Sequence, residues 1–267
     1  VTITIERPRA TGAAPVFWLG THKPIWLERT DVPLFIADQN LRDRRTLPKA
    51  RGPWALDSGG FMQLRNTGRW QFTAREYVQR IARYQAEIGN LAWASPMDRM
   101  CEDVILAATG QNVATHQWKT LENYIELITI WEMEVGGRCP IIPVLQGWAG
   151  FEYLRHMDMY RAAGIDLDSF PVVGVGSVCR RQNTLSIGRI FLELHPLRMH
   201  GFGVKRQGLR GYGHLLASAD SMAWSLDATH NPPMEGHTHQ HCGNCLDYAL
   251  RWRSEMLSNL GWETLAA

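Results

Sequence analysis

Short apolar runs recur along the chain, with longer segments of helical periodicity between them. The runs are Val16–Thr21, Leu34–Asp38, Trp54–Gly59, Leu91–Asp98, Ile141–Gly147, Pro171–Ser177, Met199–Val204 and Ala217–Trp224. They seldom alternate with polar residues, the pattern of strands buried on both faces of a parallel sheet. Thr73 predicts a helix N-cap with Glu76 in the capping-box position, opening a helix that runs to about Ile88. Further helices are predicted over Thr115–Val135, stopped by Gly136-Gly137, over Phe151–Ala163, stopped by Gly164, and over Asn183–Leu194, before Pro196. Gln207–Ala217 reads as a short helix and Leu246–Leu260 as a closing one, while Gln39–Gly52 and Thr229–Gly243 lack periodicity. Eight strands alternating with helices predict an α/β fold, a (β/α)8 TIM-like barrel, with a doubly wound open sheet as the alternative.

Composition narrows the class. Of 267 residues, 45% are hydrophobic and 20% charged, which excludes a disordered or collagen-like chain. No run reaches the roughly 18 apolar residues of a membrane span. The opening stretch VTITIERPRATG has no apolar segment after a basic start, so no secretory signal is expected and the cytoplasm is the predicted location (the host's, if the chain is phage-encoded). A formal net charge of +2 means that any nucleic-acid footprint must be local. Of five cysteines, only Cys242 and Cys245 are close in sequence, which suits a metal clip better than a disulfide framework. The eleven tryptophans suit a core, although some could offer flat faces to a planar ligand.

In a parallel barrel the active site forms at the C-terminal ends of the strands. Polar residues follow the predicted strands there: Asp57-Ser58-Gly59-Gly60, Asp98, Gln146-Gly147, Gly174-Val175-Gly176-Ser177 and Asp220-Ser221. A single Asp after a strand is commonly a helix cap or turn former, and a glycine there can simply permit a turn. Three aspartates together at strand ends favour a shared site.

The ordered segments Asp57-Ser58-Gly59-Gly60-Phe61, Ser95-Pro96-Met97-Asp98, Val144-Leu145-Gln146-Gly147, Val173-Gly174-Val175-Gly176-Ser177, His200-Gly201-Phe202-Gly203 and Ala219-Asp220-Ser221-Met222-Ala223-Trp224 resemble the tRNA-guanine transglycosylase superfamily. The resemblance spans about Trp54 to Cys245 and is greatest to the DNA-modifying deazaguanine transglycosylases of bacteria and phages. It implies replacement of a guanine by a 7-deazaguanine without breakage of the polynucleotide. Asp220 would be the nucleophile at C1′ and Asp57 the general acid/base. Asp98 and Gln146, with Ser58 and the backbone of Gly174 and Val175, would bind the base, and Met222, Met97 or a Trp could sandwich its ring. Many members carry Gln directly after the DSGGF motif, whereas this chain has Met62 and then Gln63. The segment Gly174–Arg181 lacks the acidic residue that some tRNA enzymes use to select an aminomethyl base, which points to an uncharged, cyano-type free base as donor. DNA is the expected polymer partner, with tRNA as the alternative. A non-catalytic nucleic-acid-binding module and a barrel nucleosidase are further alternatives, and the aspartate set and the guanine-reading set respectively weigh against them.

His237, His239, Cys242 and Cys245 have the donor types and spacing of a tetrahedral Zn2+ site, and His241 competes with His237. A surface His-rich loop with two free thiols is the alternative. The superfamily carries a structural zinc in this region, so residues 1–228 are expected to form the catalytic barrel and 229–267 a zinc-binding segment with the closing helix. Arg180, Arg181, Lys205, Arg206 and Arg210 lie where loops would ring the barrel mouth, either as phosphate contacts or as a solvated basic face. Arg42, Arg44, Arg45, Lys49 and Arg51 form a further basic cluster, and Arg251 and Arg253 could add phosphate contacts on the zinc side.

Overall fold

A computed structural model describes residues 15–181 and 185–262. The stretch VTITIERPRATG and the predicted helix start at Asn183 lie outside these residues. The first half of the chain forms β1 (Val16–Gly20), α1 (Trp26–Arg29), β2 (Leu34–Ala37), β3 (Trp54–Asp57), α2 (Gly60–Thr67), α3 (Ala74–Glu87), β4 (Leu91–Ala94), α4 (Asp103–Thr109) and α5 (Val113–Glu134). The second half forms β5 (Val144–Leu145), α6 (Gly150–Ala162), β6 (Val173–Val175), α7 (Leu185–Glu193), β7 (Met199–Gly201), α8 (Arg206–Tyr212), β8 (Leu216–Ser221), α9 (Ala223–His230) and α10 (Leu246–Ser258).

All strand pairs are parallel, in the order β4-β3-β2-β1-β8-β7-β6-β5. Pairing of β1 with β8 curls the sheet into a TIM-like barrel and sets aside the open doubly wound alternative. The remaining gap, between β4 and β5, is spanned by one bridge, Ala94 with Ile141. There the Ala94 N–H donates to Pro140 O at 2.9 Å and the Ile142 N–H to Ala94 O at 3.0 Å.

The strands alternate after all, but between two apolar sets. Phe17, Leu19, Leu34, Ile36, Trp54 and Leu56 face outward into the main core under the helices. The residues between them, Trp18, Phe35 and Ala55, face into the barrel and pack with Trp93 and Phe202. Trp18 meets Trp93 edge-on with ring centroids 5.7 Å apart, a geometry worth about 0.5–1.5 kcal/mol beyond area burial. The two-residue side-chain period thus fills the barrel floor with aromatic rings and assigns the next inward position of each strand to the mouth.

Local signals set the helix starts. The Thr73 side chain accepts the Glu76 N–H at 3.2 Å, and Glu76 accepts the Thr73 N–H at 2.7 Å, completing the predicted capping box. The predicted start at Thr115 is two residues late, because Asn112 is the cap and its Oδ1 accepts the Thr115 N–H at 2.9 Å. Predicted irregularity over Thr229–Gly243 begins after His230, where α9 ends. The short helices α2, α4 and α9 carry no clear apolar period, so the pattern does not predict them. The apolar run of β8 continues directly into α9, which hides that helix. Among the described residues no helix is long and apolar enough to cross a membrane.

Candidate active site and metal centre

The inward positions at the strand ends converge. Two residues beyond the floor residue Ala55 comes Asp57, and two beyond Ser218 comes Asp220. With Asp98 after β4 and Gln146 after β5, they line one cavity of about 330 Å3. Its apolar wall is Phe35, Phe61, Met100 and Phe202, and its remaining polar lining includes Ser95, Glu102, Ser177 and Arg180.

Asp57 accepts the Gly59 N–H at 3.1 Å. Burial, reinforced by the Asp220 charge, pushes its carboxyl up to about 6. Asp98 is buried and its Oδ2 accepts from Gln146 Nε2 at 2.5 Å. Burial outweighs that bond and pushes Asp98 up to about 7, with the Asp57 and Glu102 charges adding to the rise. Asp220 Oδ1 lies 3.2 Å from His200 Nε2 and accepts the Gly203 N–H at 2.8 Å. Among the described residues both contacts fall on Oδ1, so one carboxylate oxygen is tethered and the other is not.

Gln146 is fully buried and tightly held. Its Oε1 lies 2.7 Å from Ser177 Oγ, its own N–H donates to His156 Nδ1 at 2.8 Å, and its C=O accepts from Gln117 Nε2 at 2.6 Å. Burial drives the His156 imidazole down to about 3, which keeps it neutral and able to accept. Gly176 has no side chain for a steric reason: a Cβ there would fall on the Gln146 amide.

Three predicted base contacts sit elsewhere. Val175, expected to contact the base through its backbone, is absent from the lining: its side chain faces outward into the core and its C=O accepts the Phe202 N–H at 3.3 Å. Gly174 is inward but one layer deeper: its N–H is taken by Pro143 O, and Phe202 covers the space a side chain would need. Ser58 is buried beneath the lining, with its N–H donated to Ser95 Oγ at 2.8 Å. Gly176, Ser177 and Ser95 occupy the lining instead. Met97 is buried in the core and Met222 lies outside the lining, so the apolar wall is aromatic with one methionine, Met100. Gln63 turns away and accepts the Gln71 N–H at 3.0 Å. Sequence reasoning misses the roles of Glu102, Ser177 and His200. His200 and Ser177 lie inside recognisable motifs and could have been found there, but Glu102 carries no periodic or motif signal.

The basic residues divide. Arg180 lines the cavity with its guanidinium 5.0 Å from the Phe61 ring. Arg181 is tied down, 3.7 Å over the Trp148 ring and donating to Trp148 O and Ser177 O. Lys205 and Arg206 line a separate groove of about 770 Å3 together with Arg251 of α10. Arg210 lies exposed on α8. Arg253 is buried and donates to Phe17 O, which removes it from any phosphate role.

The donor atoms of His237, His239, Cys242 and Cys245 all lie within 4.8 Å of one another. Cys242 Sγ is 3.0 Å from His239 Nε2, and His237 Nδ1 is 3.6 Å from Cys245 Sγ. His237 presents Nδ1 to the cluster, and its Nε2 faces Asp247 Oδ2 at 3.8 Å, a carboxylate placed to hold that tautomer. His241 points away, accepting the Gly243 N–H at 3.2 Å, so His237 is the fourth member. Two imidazoles and two thiols converging this closely fit a tetrahedral ion such as Zn2+.

No curated protein matches the chain in sequence. Among solved structures, 2,3-dimethylmalate lyase, a PEP mutase/isocitrate lyase superfamily member, is similar with a TM-score of 0.46 and 9% identity, over 93% of this chain and 94% of that one. A putative fructose-1,6-biphosphate aldolase from Coccidioides immitis is similar with a TM-score of 0.42 and 10% identity, over 93% and 92%. The family model described as DeoxyPurine in DNA protein A matches residues 14–263. That span contains all eight strands, the whole cavity lining and the His/Cys cluster, and the chain belongs to the DpdA family.

Proposed function

We propose that this chain is a base-exchange transglycosylase that replaces guanine in DNA with a 7-deazaguanine. The observation that carries this is the convergence of Asp57, Asp98, Asp220 and Gln146 on one cavity at the barrel mouth.

The chemistry follows from the positions. An Asp220 oxygen attacks C1′ as the C1′–N bond to guanine breaks, leaving a glycosyl ester. The bonding pair departs with the purine, which takes a proton from Asp57. The incoming deazaguanine gives its N–H proton to the Asp57 carboxylate, attacks C1′ and releases Asp220. Two carboxyl groups dividing nucleophile and acid/base roles is the logic of retaining glycoside hydrolysis. A carboxyl that titrates at about 6 can serve in both directions near neutral pH. Asp98 accepts from the purine N1–H and 2-amino group, and Gln146 serves the neighbouring edge. The aromatic wall of the cavity suits an uncharged, cyano-type donor base.

DNA as the polymer is supported by the family description. Arg180 at the cavity and Lys205, Arg206 and Arg210 beside it are the proposed phosphate contacts. A base in a duplex must first leave the stack, at a cost of a few kcal/mol. A Zn2+ ion held by His237, His239, Cys242 and Cys245 would supply a structural cross-link. Residues 1–228 then act as the catalytic barrel and 229–267 as the zinc segment packed on it.

Incubating the protein with DNA or tRNA and labelled guanine or labelled cyano-deazaguanine tests the proposal. Label is expected in DNA. Label in tRNA alone would transfer the same chemistry to the other polymer, and label in neither would overturn the function.

A further inference from the structure

A chain of four buried side chains runs along one wall of the cavity: Asp98, Gln146, Ser177 and Glu102. Gln146 Nε2 donates to Asp98, Gln146 Oε1 lies 2.7 Å from Ser177 Oγ, and Ser177 Oγ lies 2.9 Å from Glu102 Oε2. The Cys101 N–H also donates to Ser177 Oγ, at 2.7 Å.

A hydroxyl has one proton and two lone pairs. One lone pair is taken by the Cys101 N–H, so Ser177 can donate to only one of its two remaining neighbours. If it donates to Gln146 Oε1, its other lone pair must accept a proton from Glu102, which is then a neutral acid, while Asp98 only has to accept and is free to ionise. If it donates to an ionised Glu102, the Gln146 amide must turn over. Its NH2 then faces Ser177, and its oxygen needs a proton from Asp98. The wall therefore needs at least one proton on its two carboxyl groups, and the amide direction reports which of them must carry it. This structure has the amide direction of the first arrangement, the one in which Asp98 can be the acceptor that a guanine N1–H and 2-amino edge requires.

We propose that Glu102 and Ser177 are positioning residues for base recognition: Glu102 keeps the required proton, Ser177 passes the constraint on, and Gln146 and Asp98 are thereby aimed to read guanine. This rests on the functional reading above, in which the purine occupies this cavity. Burial raises both carboxyl groups, in keeping with a site that does not carry two negative charges. The charged and titratable groups around Glu102 are Arg180, Arg181 and the Cys179 thiol from the segment after β6, Tyr153 of α6, and Asp98 and the Cys101 thiol from its own loop. The two arginines favour its ionised form and the burial opposes them, burial being the larger effect.

The test uses the full chain and free guanine and hypoxanthine, which lacks the 2-amino group, with affinities followed against pH. Wild type is expected to prefer guanine. Ser177→Ala should lose that preference by tenfold or more. Glu102→Gln supplies a permanent donor to Ser177, so it should keep the preference while the pH dependence of guanine binding changes. An infrared difference spectrum near neutral pH should show a protonated-carboxyl band in wild type that Glu102→Gln lacks. Folded Ser177→Ala and Glu102→Gln proteins with wild-type preference and pH profile would overturn the proposal, as would absence of the infrared band. Loss of preference in Asp98→Ala but not in Ser177→Ala would sink this inference alone. No guanine binding by wild type would sink the functional reading and this inference with it.

Discussion

His200 Nε2 sits 3.2 Å from Asp220 Oδ1, on a ring whose Nδ1 lies 2.8 Å from Ser218 Oγ. A neutral imidazole satisfies both ends, donating to Asp220 and accepting from the Ser218 hydroxyl. The ring itself is clamped among Phe35, Trp93 and Phe202. A rigid aromatic floor therefore sets the direction of the proposed nucleophile. Asp220→Asn is expected to abolish label exchange, by at least about 10³-fold, and to leave no covalent adduct. His200→Ala should keep the adduct but lower its rate of formation by about 10²-fold, because the attacking oxygen is no longer aimed. Trapping the adduct with labelled oligonucleotide in denaturing gels distinguishes the two.

Asp57 supplies a stability prediction with a defined sign. Its native carboxyl titrates at about 6, above the ordinary aspartate value of 3.8, so the folded state binds more protons across that interval. Stability contributed by the protonated form is present at low pH and is lost as pH rises through about 6. Asp57→Asn should therefore be more stable than wild type above this range, by roughly 1–3 kcal/mol, and the two should converge in acid. Denaturant melts at several pH values check this, and activity should fall in the same variant.

Gly176→Ala places a methyl on the Gln146 amide. The fold should survive, since strand β6 ends before this residue. Base discrimination should drop by about tenfold or more, measured as the ratio of guanine to hypoxanthine affinity.

The basic residues should separate by salt dependence. Removing a side chain that neutralises one phosphate lowers the log–log salt slope of DNA binding by about 1. Arg180→Ala and Arg206→Ala are expected to do so. Arg181→Ala should leave the slope unchanged, because its guanidinium is stacked on Trp148 and bonded to backbone carbonyls.

One tightly bound Zn2+ per chain is expected by elemental analysis. Cys242→Ser or a strong chelator should remove it and lower the melting temperature, whereas His241→Ala should retain it. Near-UV signals from Trp252, whose ring lies 6.2 Å from Phe17, should report loosening of α10.

Much of this arrangement is legible in the chain. Runs such as Trp54-Ala55-Leu56 announce buried parallel strands, and Asp57 follows in the same period, so both the barrel and one acid can be placed. Phase is harder. Val173-Gly174-Val175-Gly176 reads equally well in either register, and only the packing of Phe202 over Gly174 shows that Gly176 is the mouth residue. Glu102 is hidden because it lies in a loop without periodicity, where a carboxylate is ordinarily solvated; its burial depends on residues about 75 positions away, such as Ser177. The choice of His237 over His241 depends on a turn at Gly243 that spacing does not encode.

The thin seam of the barrel lies between the strands that carry Asp98 and Gln146. With a single backbone bridge there, the side-chain bond between these two residues is a second stitch across the same joint. Under the proposed function, a purine recruiting both groups would draw on that stitch and have to fasten the wall itself, which would make recognition of the base and integrity of the cylinder mechanically one event.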